Sequence, residues 1–244
     1  MEKNNTPKKV IIFGATGNAG RCLVPAGLEL GHQVSAFVKD ASKLEKIFDR
    51  SLLDKVRIYH GNALDRSAVA KAVLDHEAVI NATGDHRSTD LFEKLCATVA
   101  EEVDKISDKN IRLWQFGGLP GLDIPHTDTM GTDLPGMPAI FRSHKVNYLK
   151  LKDSSLDWSF ICPGPMFFSN VQGRTDGLEI TMDKMPYKIG SWTKWLPKLT
   201  YPFIMRSRLK ELVVSFEDVA YFIMSNLEIN GEYSKKRLGI SYKY

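Results

Sequence analysis

The sequence Lys9-Val10-Ile11-Ile12-Phe13-Gly14-Ala15-Thr16-Gly17-Asn18-Ala19-Gly20-Arg21 joins an apolar run to three evenly spaced glycines and then to a helical pattern. The apolar run is typical of a buried parallel strand, and the glycines permit a tight turn and a close backbone approach to a pyrophosphate. The following helix would offer N–H groups and a positive dipole to phosphates. The spacing differs from the commoner Gly-x-Gly-x-x-Gly, and an ordinary strand–helix turn also favours glycine. The order of strand, glycines and helix nevertheless predicts a dinucleotide site.

Length and composition are those of a globular protein. The chain has 244 residues, of which 43% are hydrophobic and 25% charged, so we predict a single domain over residues 1–244, with a substrate-side elaboration over residues 164–214. The net charge of +4 is too small to indicate nucleic acid. No segment approaches the roughly 18 apolar residues of a membrane span. We expect neither a signal peptide nor a transmembrane segment, and the oligomeric state is left open.

The cysteines indicate a reducing environment. Cys22, Cys96 and Cys162 are odd in number, far apart and without a Cys-x-x-Cys pair. This pattern favours reduced, buried thiols in a cytoplasmic protein over a disulfide framework. No group of His, Cys and Glu has metal-ligand spacing, so no metal site is predicted.

Apolar runs alternate with helical patterns over the first two thirds of the chain. Strands are predicted at 33–38, 56–60, 78–81, 111–116 and 158–162, with short strands at 177–181 and 187–189 and a last strand at 238–242. Asp90 and Glu93 have the spacing of a capping box, as do Ser215 and Asp218. The alternation predicts an α/β fold with a doubly wound parallel sheet and a small C-terminal elaboration. Ligands of such sheets bind beyond the carboxyl ends of the strands.

Four stretches resemble the atypical short-chain dehydrogenase/reductase group, especially its NmrA-like and biliverdin reductase B/flavin reductase-like branch. They are Gly14-Ala-Thr-Gly17-x-x-Gly20, Phe37-Val-Lys-Asp40, Ser154-x-Leu-Asp-Trp-x-x-Ile-x-Pro163-Gly164 and Phe216-Glu-Asp-Val-Ala220. The resemblance covers nearly the whole chain. It implies a Rossmann-type sheet, a bound NADP(H) or NAD(H), and often a reductase activity.

The residue after the second strand predicts which cofactor is preferred. NAD enzymes place a carboxylate about 20 residues after the glycines, where it holds the ribose 2′-hydroxyl. Here Lys39 follows Val38, and a cation suits a 2′-phosphate. In the resembled family a residue such as Asp40 lies one step beyond the phosphate contact. We therefore expect NADP(H) to be preferred over NAD(H), although Lys39 could also be an ordinary solvated lysine.

Other loops complete the predicted cofactor site. The resemblance implies that Asn62 and Ala63 hold the adenine, although Asn62 could be only a turn residue. Small residues at 82–84 would let the backbone pass close to ribose and pyrophosphate. The predicted cofactor-binding set is Gly14, Thr16, Gly17, Asn18, Ala19, Gly20, Lys39, Asn62, Ala63, Ala82, Thr83, Gly84 and Pro163.

The catalytic residues of the wider family are largely missing. Its reductases use a serine after the fifth strand and a Tyr-x-x-x-Lys pair, but here the strand runs into Gly117-Gly118. Tyr148 and Lys152 match the pair formally, yet Lys152 lies only 11 residues before Pro163. Alignment on the resembled motifs places the family's lysine position at His144.

We therefore predict His144 as the catalytic residue, facing the nicotinamide ribose and able to protonate a substrate near neutral pH. A hydrogen-bonded structural histidine is the alternative. Hydride transfer needs little from the protein beyond orientation, so the missing serine does not exclude a reductase.

The substrate or ligand is expected near Gly117–Pro138 and Gly164–Phe168. Lys184–Lys210 contains seven Lys or Arg residues, no Asp or Glu, and interleaved aromatics. That stretch could be core, a lid, a partner-binding face or a membrane contact. Three functions stay open: an NADPH-dependent reductase of a carbonyl, quinone or flavin, a non-catalytic NADP(H) sensor, and a non-redox isomerase.

Overall fold

The computed structural model describes residues 6–84, 88–106, 110–171, 173–187 and 207–243. The strands are β1 Lys9–Phe13, β2 Gln33–Val38, β3 Arg57–His60, β4 Ala78–Asn81, β5 Arg112–Phe116, β6 Asp157–Pro163, β7 Met166–Phe167, β8 Leu178–Met182, β9 Val214–Ser215 and β10 Lys236–Tyr242. The helices are α1 Gly20–Glu29, α2 Ser42–Glu45, α3 Arg50–Leu53, α4 Arg66–Val73, α5 Thr89–Asp104, α6 Arg142–Lys152 and α7 Phe216–Met224. The predicted strand at 187–189 lies mostly outside the described residues.

An eight-stranded sheet in the order β3-β2-β1-β4-β5-β6-β10-β8 forms the centre of the fold. Neighbouring strands are parallel except for β8, which runs antiparallel to β10. The strand order reverses at β1, which pairs with β2 on one side and β4 on the other. This reversal creates a crevice at the carboxyl ends of β1 and β4. The predicted Rossmann-type doubly wound α/β fold is confirmed.

The apolar run of β1 is continuous because both of its faces are buried. Val10 and Ile12 pack into a core with α1 and α7, whereas Ile11 and Phe13 pack into a second core with α4, α5 and α6. Side chains alternate across a strand, so one five-residue strand contributes to both layers. Within the described residues, none of the helices combines the length and apolar character needed to cross a membrane.

The starts of α7 and α5 can be compared with the two capping boxes that the sequence predicts. Ser215 caps α7 as predicted, because its Oγ accepts a hydrogen bond from the Asp218 N–H at 3.0 Å. The capping box predicted at Asp90 and Glu93 is wrong by two residues, since Ser88 has extended dihedrals and its Oγ accepts from the Leu91 N–H. Asp90 lies inside the first turn of α5 instead.

The region after β6 is partly built into the main sheet. β8 pairs with β10, while β7 and β9 form a separate two-stranded parallel ladder. The single-domain assignment over residues 1–244, with an elaboration at 164–214, stays a prediction.

Candidate functional site

The glycine loop has no room for side chains at its two ends. Gly14 has φ +83°, and a Cβ on it would lie 2.6 Å from the carbonyl oxygen of Ala82. A Cβ on Gly20 would lie 2.2 Å from the Gly14 carbonyl oxygen, and the Gly17 N–H donates to that same oxygen at 2.9 Å. The loop is therefore folded tightly against the end of β4. Such a bare backbone cradle fits the close approach of a pyrophosphate.

The N-terminus of α1 lacks the side-chain cap that several other helices have. Asp65, Ser88 and Ser215 accept backbone N–H groups at the starts of α4, α5 and α7. At α1 the cap residue is Ala19, with no side-chain hydrogen bond, and the first turn contains no acidic residue. The backbone donors at this end therefore have no side-chain cap and no carboxylate from the helix's own first turn, which suits a bound phosphate.

The remaining residues of the loop surround this cradle. Thr16 and Ala19 are half-buried, whereas Gly17 and Asn18 are exposed at the mouth of the crevice. A Cβ on Gly84 would meet nothing within 4 Å, so the chain is open there. The predicted phosphate contacts therefore gather at the switch point between β1 and β4.

Lys39 is exposed immediately after β2, and the Asp40 carboxylate accepts hydrogen bonds within a local turn. Asp40 Oδ1 accepts from the Ser42 hydroxyl at 2.7 Å and from the Ser42 N–H at 3.0 Å. These two hydrogen bonds lower the pKa of the Asp40 carboxyl. The carboxylate is directed toward α2, which leaves Lys39 as the side chain at the end of the strand.

Asn62 and Ala63 follow β3 on the same edge of the sheet. The Asn62 side-chain oxygen accepts from the Leu64 N–H at 3.1 Å, so Asn62 does form a turn. Asn62 is exposed and Ala63 half-buried. Pro163 lies farther across the sheet, where it ends β6 and is buried beside Ile240 of β10. The sheet thus brings Asn62, Ala63 and Pro163 to its carboxyl edge, but Pro163 lies three strands from β1.

His144 lies in the first turn of α6, at the carboxyl end of β5. A Cβ on Gly118 would lie 2.8 Å from His144 Nε2. The imidazole packs edge-on against Phe92 at 5.4 Å and stacks on Phe141 at 6.0 Å between ring centroids. A Cβ on Gly117 would meet Phe160 at 2.4 Å. Neighbouring rings therefore fill the space beside both glycines that replace the family's serine.

Tyr148 is half-buried, and its ring packs on the sheet. Its ring lies 6.0 Å from Trp158 and 6.4 Å from Phe160, and the Arg237 guanidinium stacks 4.4 Å from its centroid. Lys152 is exposed at the last turn of the helix. Tyr148 thus has a packing role one turn beyond His144.

The expected substrate loop at 117–138 is in large part core. Leu122 and Ile124 are fully buried in the second core. Asp123 forms a two-pronged ion pair with Arg237, at 2.8 and 2.9 Å, and Arg237 also donates to the Gly121 carbonyl. The middle of this loop is therefore fixed to β10, and its ends are the parts nearest to the crevice.

The segment 164–168 reaches back toward the glycine loop. The Arg21 guanidinium lies 5.7 Å from the Phe168 ring, which packs on Phe216 at 4.7 Å. Glu217 accepts from the N–H groups of Ser169 and Asn170, both at 3.0 Å. Sequence reasoning missed this anchor, although the acidic first turn of α7 was its signal.

The cysteines are not placed for chemistry. All three are buried free thiols. Cys22 is the one beside the glycine loop, and burial together with the nearby Glu217 raises its pKa to about 12. A thiol of this kind is protonated near neutral pH and is a poor nucleophile.

A separate cleft is lined by residues of α4, α5 and α6. It has a volume of about 280 Å³ and is lined by Arg66, Asp90, Glu93, Lys94, Ala97, Thr98, Glu101 and Lys150. Its charges are of both signs, and Arg66 already pairs with Glu101 and Glu102. The glycine cradle is the better candidate, because its bare backbone allows the close approach of a pyrophosphate, whereas the Arg66 guanidinium in the cleft is already paired with two carboxylates.

The chain is similar in sequence to one plant protein and in fold to one solved bacterial structure. A protein of Arabidopsis thaliana named "Probable pinoresinol-lariciresinol reductase 3" is 30% identical over 107 residues, which is 43% of this chain and 34% of the reductase. The chain therefore spans about a third of that relative's length. A proposed NADH-flavin reductase from Streptococcus pneumoniae TIGR4 shares the fold with a TM-score of 0.70 and 18% identity, over 97% of this chain and 100% of that chain.

A short-chain dehydrogenase/reductase from Veillonella parvula DSM 2008, solved in complex with NADP, also shares the fold. Its TM-score is 0.64 at 18% identity, over 96% of this chain and 94% of that chain. Residues 14–193 match the family described as NAD(P)H-binding, and that match begins at the first glycine of the cradle. The chain therefore belongs to the NAD(P)H-binding family of Rossmann-fold proteins.

Proposed function

We propose that this protein is an NADPH-dependent reductase of a small or aromatic electrophile, such as a carbonyl, quinone or flavin. The observation that carries the proposal is the bare glycine cradle against the end of β4, with His144 at the end of β5 on the same edge. Reductases among the similar proteins support the reaction class. The buried free thiols favour a cytoplasmic location.

The proposal gives each predicted residue a task. The backbone at 14–20 and the N-terminus of α1 would hold the pyrophosphate, Lys39 the 2′-phosphate, and Asn62 and Ala63 the adenine. Residues 82–84 and Pro163 would border the rest of the dinucleotide. When bound, the cofactor supplies the hydride. His144 orients the substrate oxygen and gives it a proton from its imidazole.

The test is a panel of carbonyls, quinones and flavins, with NADPH consumption followed by its absorbance. We expect turnover of at least one class. Absence of turnover over a broad panel, together with tight cofactor binding, would instead favour a non-catalytic NADP(H) sensor. The specific observation behind that second function is that Phe160 and His144 occupy the space beside Gly117 and Gly118, where the wider family has its serine. Product formation without loss of NADPH would indicate a non-redox isomerase.

Cofactor preference provides a direct prediction. NADP(H) is expected to bind about tenfold more tightly than NAD(H), because Lys39 ends β2 while the Asp40 carboxylate is tied to Ser42. Lys39→Ala should weaken NADP(H) binding and leave NAD(H) binding nearly unchanged, as measured by titration of nicotinamide fluorescence. Lys43→Ala, on α2, is the matched control. Equal affinities of the unmodified protein for the two cofactors would refute the assignment.

His144 and Tyr148 are predicted to differ sharply in their effect on turnover. His144→Ala should lower kcat at least tenfold, because the general acid at the end of β5 is lost. Tyr148→Phe should change kcat less than twofold, since its ring packs on Trp158 and Arg237 away from the crevice. Steady-state kinetics of the two variants, measured on samples with the same folded fraction, tests this difference. Loss of activity in Tyr148→Phe alone would show that Tyr148 and Lys152 are the catalytic pair.

A further inference from the structure

A buried chain of polar side chains connects the interior of the sheet to the glycine cradle. Asn81 ends β4 and lies directly opposite Gln115 of β5 in the strand register. The Asn81 Nδ2 donates to Gln115 Oε1 at 2.9 Å, and both residues are almost fully buried. The Thr83 hydroxyl donates to Asn81 Oδ1 at 2.6 Å, and the Thr83 N–H donates to the same oxygen at 3.2 Å.

Gln115 and Thr83, at the two ends of this series of hydrogen-bonded side chains, fix the direction of every hydrogen bond in the series. At the inner end, Gln115 Nε2 lies 3.1 Å from the Phe116 carbonyl oxygen and 3.0 Å from Cys96 Sγ. A carbonyl oxygen can only accept a hydrogen bond. The amide NH2 group of Gln115 must therefore point toward the Phe116 carbonyl, and its Oε1 must point toward Asn81. At the outer end, the Thr83 N–H can only donate, so Asn81 must present its oxygen. Neither amide can be reversed without placing like groups together.

This direction decides what the Thr83 hydroxyl can offer a ligand. Its single hydrogen is directed to Asn81 Oδ1, which has no hydrogen to give in return. The lone pairs of Thr83 Oγ1 are therefore its remaining hydrogen-bonding capacity. Thr83 also stands at the cradle, since a Cβ on Gly14 would lie 2.9 Å from the Thr83 nitrogen.

We propose that Thr83 is a hydrogen-bond acceptor for a donor group of the bound cofactor, and that Asn81 and Gln115 are the positioning residues that hold it in this state. The complementary group is a ribose hydroxyl or the NH2 group of the nicotinamide carboxamide. A phosphate oxygen, which only accepts, is excluded from this position and is left to the N-terminus of α1. The inference rests on the proposed cofactor site and assigns the polarity of one of its contacts.

The test measures binding and does not depend on turnover. Thr83→Val keeps the shape of the side chain and removes the oxygen, so we expect the Kd for NADPH to rise about tenfold by calorimetry or fluorescence. Thr83→Ser restores the oxygen and should return the Kd to within about threefold of the unmodified protein. Thr98→Val, which makes the same change at a hydroxyl bonded to the Lys94 carbonyl on α5, should leave the Kd unchanged.

A cofactor analogue distinguishes the two possible donors. In 3-acetylpyridine adenine dinucleotide phosphate a methyl group replaces the NH2 group of the carboxamide. If the effect of Thr83→Val disappears with this analogue, the donor is the carboxamide. If the effect persists, the donor is a ribose hydroxyl. Either result supports an acceptor at Thr83.

The positioning role has its own measurement. Gln115→Met removes the acceptor of the Asn81 Nδ2 group, so the Asn81 side chain is held by Thr83 alone and fixes the direction of the Thr83 hydroxyl less firmly. The tenfold effect of Thr83→Val should then shrink in the double variant, whereas a merely structural residue would leave it unchanged. The Thr83 series decides the proposal by itself if Gln115→Met does not fold. Unchanged NADPH affinity in Thr83→Val would overturn this inference alone, and absence of NADPH and NADH binding to the unmodified protein would overturn the proposed function with it.

Discussion

Replacement of Gly20 by alanine is expected to raise the Kd for NADPH by about 100-fold and to lower the free energy of unfolding by about 2 kcal/mol. The added Cβ would lie 2.2 Å from the Gly14 carbonyl oxygen and 2.6 Å from the Ala15 Cα. Both neighbours are backbone atoms, so the loop itself must move. Calorimetric titration with NADPH and chemical denaturation give the two quantities.

Two other glycines serve as controls for this variant. Gly31 has φ +80° but open space around it, so Gly31→Ala should lower stability by about 1 kcal/mol and leave the Kd unchanged. Gly84 has open space and no positive φ, so Gly84→Ala should change stability by less than about 0.5 kcal/mol. NADPH affinity in Gly20→Ala equal to that in Gly31→Ala would show that the loop is only a turn.

Replacement of Arg237 by methionine is expected to lower the free energy of unfolding by about 3 kcal/mol. Burial disfavours the charged guanidinium, but its hydrogen bonds and attraction to Asp123 and Asp183 outweigh burial and raise its pKa. The variant removes both bonds to Asp123 and leaves that carboxylate, 15% exposed, with Lys184 at 3.5 Å as its ion-pair partner among the described residues. Thermal and denaturant unfolding measure the loss, and the loop at 117–138 should become sensitive to protease first.

A surface ion pair provides the matched comparison. Lys145 contacts Asp133 at 2.7 Å, but the two side chains are 39% and 42% exposed. Lys145→Met should therefore change the free energy of unfolding by no more than about 1 kcal/mol. The double variant Arg237→Met with Asp123→Leu should recover part of the loss, because no unpaired buried charge remains. An Arg237→Met variant as stable as Lys145→Met would contradict the anchoring role of this pair.

The layer structure was predictable because its signals are local. The apolar run before Gly14, the glycine spacing and the alternation of strands with helices specify a parallel sheet by periodicity alone. A parallel sheet places its ligand at the carboxyl edge, so the positions of Lys39, Asn62 and the residues after β4 followed from the same pattern. The start of α5 was missed because Ser88 and Asp90 are both good caps, and backbone dihedrals chose between them.

Contacts between distant residues could not be predicted in this way. Arg237 reaches Asp123 across 114 positions of sequence, and its stacking on Tyr148 gives that tyrosine a packing role. Asn81 meets Gln115 because β4 and β5 are neighbours in register.

The sequence by itself therefore determined the fold class, the glycine cradle and the edge on which a cofactor would bind, because each depends on short-range spacing. The tertiary structure alone decided which loop is anchored, what surrounds His144, and which way the Thr83 hydroxyl points. Those properties depend on strand register and on charge pairs between residues far apart in the chain.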